Sequence, residues 1–183
     1  MTENDLKKIA LKNGGKSLRF VLVHPAKMIL LSILTLGLYQ MIWVYKSWWF
    51  LRLFYGMKLY PIFGALFNFC WPYLFLTIVK VGRIHKYTFD FSPVLFVFAW
   101  IGFSFLSQLA APWNALVGLS LLPFAAFIPC YNFIVTKTLK MDLKVKQELE
   151  KWEIILVLCC LPFQFALLAS TASKYFWQNF PHP

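Results

Sequence analysis

Five long apolar runs, flanked with variations by aromatic and basic residues, set the terms on which this chain can fold. The pattern is plainest from Met28 to Trp49. An oily stretch is interrupted by Gly37, Tyr39, Trp43 and Tyr45 follow, and Lys46 and Trp48-Trp49 close it. An apolar body with an aromatic end and a cation able to reach phosphate is the sequence pattern of a membrane crossing. The runs recur near residues 60–79, 93–109, 115–135 and 152–172.

Composition agrees. Of 183 residues, 60% are hydrophobic and 14% charged, whereas a soluble domain has about 45–50% apolar and about 25% charged residues. A globule of this size keeps too much surface to hide that excess. The expected fold class is therefore an all-α polytopic membrane protein with about five transmembrane helices plus short amphipathic interfacial helices. Residues 1–27 read as a cytoplasmic basic segment, 28–175 as a single helical membrane domain and 176–183 as a short tail. The stretches 46–58 and 137–151 are too apolar for free loops and too charged to cross, so they are expected at the headgroups, or, for 46–58, as an extension of the first crossing.

The formal net charge is +11. The cations lie between apolar runs and assemble no compact basic face, so anionic lipid is the expected partner and nucleic acid is not. With the N-terminus inside, 14 of the 18 Lys and Arg fall on the cytoplasmic side, which the positive-inside rule favours. A minor arrangement makes 28–45 and 60–79 re-entrant and leaves fewer crossings. Candidate headgroup contacts are Lys46, Arg52, Lys58, Lys80, Arg83 and Lys86. Ala166 with Ser170, and Ala169 with Ser173, give small-xxx-small spacing twice in the last run, a candidate helix-packing face. Its expected partner is another segment of the chain or a second copy. Residues 2–13 suit a basic amphipathic helix on headgroups or a frayed tail.

The stretch from Pro25 to Phe75 carries a resemblance. Pro25 and Lys27 precede TLGLYQMIWVYKSWWFLR, then come Gly56 and Pro61-Ile62-Phe63-Gly64-Ala65-Leu66-Phe67. This resembles a family of small bacterial integral membrane proteins without an assigned function. Their signature reads Thr-Leu-Gly-Leu-Tyr, a Trp-x-Tyr-Lys soon after, and a downstream Pro followed by Arg-Ala-x-Phe. This chain has Gly64 where that pattern tends to have Arg. The resemblance implies a bacterial inner-membrane location and supplies no catalytic residues.

Little points to catalysis. His24, His85 and His182 are scattered, and no His-Glu-x-x-His, phosphate-binding Gly loop or Gly-x-Ser-x-Gly occurs. The apolar runs are read as free of carboxylates, which removes an intramembrane proton relay. Arg83, His85, Lys86 and Asp90 form a basic loop suited to a phosphate headgroup or to an ordinary cytoplasmic loop. Cys70, Cys130, Cys159 and Cys160 lie in apolar runs and read as buried thiols, with no disulfide, metal or cofactor expected. No cleavable signal peptide is expected. The expected function is a non-catalytic accessory or scaffold in the membrane, alone, as a homo-oligomer or in a larger complex. An oligomeric pore or small-solute transporter is the alternative, and a lipid-modifying enzyme the more distant one.

Overall fold

A computed structural model describes residues 22–58, 60–67, 70–89, 92–106, 121–139 and 149–179. Their regular structure consists of seven helices: α1 Pro25–Leu34, α2 Leu38–Tyr55, α3 Pro61–Leu66, α4 Trp71–Ile84, α5 Pro93–Leu106, α6 Leu121–Leu139 and α7 Lys151–Asn179. Helix α6 is central and packs on α1, α4 and α5. The short α3 lies against α2, and α7 touches the body chiefly through α1.

The expectation of about five crossings is overturned. Among the described residues only the stretch Lys151–Ser170 of α7 is long and apolar enough to span a membrane, and only 12% of it is buried against the rest of the protein. A multi-pass topology has no support, so the count of cations over five crossings no longer bears on which side the N-terminus lies. The physical reason lies in the breaks. The first run does not continue from 28 to 45, because Leu36 and Gly37 both take left-handed backbone, at φ 53° and 88°. Ten residues of α1 reach about 15 Å, half the hydrocarbon thickness. Gly37 makes this turn cheap, since it has no Cβ to clash.

The second run also divides. Pro61 and Pro72 both stand in the first turn of a helix, α3 and α4 respectively. There a missing N–H is no loss, so neither proline kinks a long crossing. The 14-residue α4 and α5 reach only about 21 Å each. Helix α2 has 18 residues but carries Gln40, Lys46, Ser47 and Arg52. Helix α6 carries Asn132, Thr136 and Lys137.

Residues 46–55, expected near the headgroups, continue α2 to a Gly56 stop at φ 66°. Trp48, Phe50 and Leu51 turn inward and are fully buried, while Trp49 and Tyr45 face out. Trp43 meets Phe124 and Tyr131 edge-on at 5.4 and 5.3 Å, and Phe75 stacks on Phe127 at 4.6 Å. Each such ring pair is worth about 0.5–1.5 kcal/mol beyond its area. Gly64 allows α3 to sit on α2, because a Cβ there would overlap the Trp48 indole. Asn132 ties the segment before α1 to α6 by donating to the Val23 carbonyl at 2.9 Å. Residues 140–148 of the stretch 137–151 expected at the headgroups, the loop residues Asp90 and 110–114, Asn68, the N-terminal residues 2–13 and the final residues 180–183 lie outside the described residues.

Candidate functional site

The turn between α1 and α2 is built by the TLGLY stretch. The Thr35 hydroxyl donates to the Leu31 carbonyl at 2.7 Å and accepts from the Tyr39 N–H at 3.0 Å, closing one helix and opening the next. This aims Tyr39 at the start of α7. There Glu153 is buried, 2% exposed. Its Oε1 accepts from the Tyr39 hydroxyl at 2.9 Å, and its Oε2 pairs with Lys27 Nζ at 2.7 Å. Oε2 also accepts from the backbone N–H of Glu150 at 2.7 Å. Glu153 is the third residue of α7 and Glu150 precedes the first, so this is the back-reaching half of a capping box, and the carboxylate also faces the positive end of the helix dipole.

Trp152 completes the cluster. Its ring stacks on Tyr39, its Nε1 donates to Glu150 Oε2 at 3.0 Å, and Lys46 Nζ lies 4.8 Å from its ring centroid. Burial pushes the Lys46 amine down to about 8, against the opposing pull of Glu150 and Glu153. Burial, then the Glu153 charge, raise the Tyr39 phenol above its ordinary value. Glu150 and Glu153 are the only carboxylates among the described residues. With three donors on Glu153, the cluster holds the start of α7 to α1 and α2 rather than offering a free base.

A second polar cluster joins the C-terminal ends of α2, α4 and α6. The Tyr55 hydroxyl lies 2.6 Å from His85 Nε2 and 2.6 Å from Thr138 Oγ1. Burial raises the Tyr55 phenol. Arg83, Lys86 and Lys137 are exposed beside it in the sequence, and Lys86 takes left-handed backbone at φ 62°.

The six candidate headgroup cations separate. Lys46 is half-buried against Trp152, so it serves the α7 cluster. Arg52, Lys58, Lys80, Arg83 and Lys86 are exposed, Arg52 lying over the Tyr60 ring at 4.5 Å. Ala166, Ala169, Ser170 and Ser173 are all exposed, so the candidate packing face meets no other described segment of this chain. Among the thiols, Cys159 is exposed, Cys70 partly so, and Cys130 and Cys160 buried. Among the described residues no three His, Cys, Asp or Glu side chains gather as metal ligands.

Sequence reasoning missed Glu153, and the reading of carboxylate-free apolar runs is corrected at that position. The signal was present: Glu150-x-x-Glu153 straddles Trp152 where the last run begins, and Lys27 stands at the start of the first. Comparison with family models, curated proteins and solved structures finds no match to this chain.

Proposed function

We propose that this protein is a membrane-anchored, non-catalytic accessory or scaffold of a bacterial inner membrane. Helix α7 is its anchor, and the aromatic-cored body of α1 to α6 is the part it presents. The observation that carries the reading is the exposure of the Lys151–Ser170 stretch together with the fastening of its first turn to Lys27 and Tyr39. A 20-residue apolar helix left bare by its own protein needs an apolar solvent, and the fastening transmits its position to the body. The exposed Ala166, Ala169, Ser170 and Ser173 are available to a second copy or to another membrane helix. Arg52, Lys58, Lys80, Arg83 and Lys86 are the contacts for anionic headgroups. The resemblance of the Pro25 to Phe75 stretch to a bacterial membrane family supports the location.

Purification in mild detergent tests this reading. A stoichiometric second copy or partner is expected, lost on Ala169→Leu, with anionic lipids retained by the wild type and depleted when the five exposed cations become Gln. A monomer carrying no partner and no selected lipid contradicts it. The Tyr55, His85 and Thr138 arrangement favours one second reading, a lipid-modifying enzyme. A change in cellular lipid species on expression, abolished by His85→Ala, would support that instead.

A further inference from the structure

We infer that the turn joining α1 to α2 is a lipid-inserted wedge, dipping into the bilayer beside α7 without crossing it. The inference rests on the reading that α7 spans the membrane. Three features of the turn carry it, and the last also sets its depth.

The outside of the turn is apolar: Leu30, Ile33, Leu36 and Leu38 are between 45% and 56% exposed. Leu36 is held outward by a left-handed backbone that a leucine rarely adopts.

The turn also pairs most of its N–H groups with its own oxygens. The N–H groups of Thr35, Leu36, Gly37 and Leu38 donate to the carbonyls of Leu31, Ile33, Ser32 and Thr35. Tyr39 N–H goes to the Thr35 hydroxyl, and Met41 N–H to the Gly37 carbonyl. In hydrocarbon an open amide is costly, and irregular backbone is tolerated at depth where it packs against protein, as Thr35 and Tyr39 do on the inner side of this turn.

Helix α7 supplies a further polar contact: Gln164 Nε2 donates to the Ile33 carbonyl at 2.9 Å, at the end of α1. A glutamine in an otherwise apolar span is expected to find such a partner.

The same contact fixes depth. Gln164 lies about 16 Å further along α7 than Glu153. With the Lys27–Glu153 pair at the headgroups, Ile33 is near the middle of a hydrocarbon layer about 30 Å thick. The wedge and the anchor thus form one continuous lipid-facing surface, and hydrocarbon chains are its occupant.

Spin labels test this. In a variant with Cys70, Cys130, Cys159 and Cys160 replaced by Ala, single cysteines at Ile33, Leu36 and, as a control on α7, Leu158 are labelled. The proteins are reconstituted in phosphatidylcholine–phosphatidylglycerol vesicles, and access to oxygen and to a water-soluble nickel chelate is measured. All three labels are expected to favour oxygen strongly. Oxygen preference at Leu158 with nickel preference at Ile33 and Leu36 overturns the wedge and leaves the anchor standing. Low access to both reagents at Ile33 and Leu36, the mark of a protein neighbour, also overturns it. Nickel preference at Leu158 removes the anchor and the wedge with it.

Discussion

Tyr39 and Trp152 lie face to face, ring centroids 5.8 Å apart and planes 12° from parallel, and each points its polar atom at a different carboxylate. The Tyr39 hydroxyl serves Glu153 and the Trp152 indole N–H serves Glu150. A stacked pair thereby orients both acids at the start of α7. Lys27 and Lys46 approach from α1 and α2, one onto the carboxylate and one onto the ring.

Breaking the buried ion pair is expected to loosen α7. Glu153→Gln removes the carboxylate charge that lies 2.7 Å from the Lys27 ammonium, at a cost on the order of 3 kcal/mol. Replacing both, as Lys27→Met with Glu153→Gln, removes the buried ammonium as well and should recover part of the loss. Thermal unfolding in detergent measures both variants. Equal melting of Glu153→Gln and wild type would show that the pair contributes nothing.

The half-buried Lys46 predicts a pH dependence. Its folded value, about 8, lies below the ordinary 10.5. Between those values the unfolded chain binds more protons than the folded one, so stability rises with pH. The destabilisation is fully present below about pH 8. The raised Cys130 thiol acts in the opposite sense above its ordinary value of 9.0, and the raised Tyr39 phenol above 10.0, which leaves pH 8 to 9 as the window. Melting temperatures of wild type and Lys46→Met across that range separate the effect: wild type should gain on the variant as pH rises. A constant difference would rule out the depressed amine.

Gly64 is expected to tolerate no side chain while Trp48 keeps its place. A Cβ at 64 overlaps the indole, which is itself stacked on Tyr73 at 5.6 Å. Gly64→Ala should cost about 1–3 kcal/mol by overpacking, and Gly64→Arg more. In a double-mutant cycle with Trp48→Phe, the smaller ring should relieve part of the Gly64→Ala cost. Additive effects would mean that the two residues are not in contact.

The apolar character and the helical nature of the chain were legible because they depend on composition and long runs. The number of crossings was not, because it turns on local breaks. A left-handed Leu36-Gly37 pair or a helix restarting at Trp71 looks, in sequence, like continuous oil. Gly56 was legible as a stop, since a glycine follows the last turn and Lys58 comes just after. The polar clusters were not legible. Tyr55, His85 and Thr138 are ordinary residues at three helix ends, and only packing brings them within 2.6 Å. Tyr39 reads as an interfacial aromatic until the Thr35 turn is seen to aim it at Glu153.

The central claim is that α7 crosses the bilayer from a fastened first turn. Its most direct test uses single cysteines at Lys151 and Ser173, flanking the span, in the variant lacking the four native cysteines. Sealed vesicles of one orientation are treated with a membrane-impermeant maleimide before and after permeabilisation. One of the two positions is expected to label before permeabilisation and the other only after it. Labelling of both positions in sealed vesicles would place both ends of α7 on one side and contradict the claim.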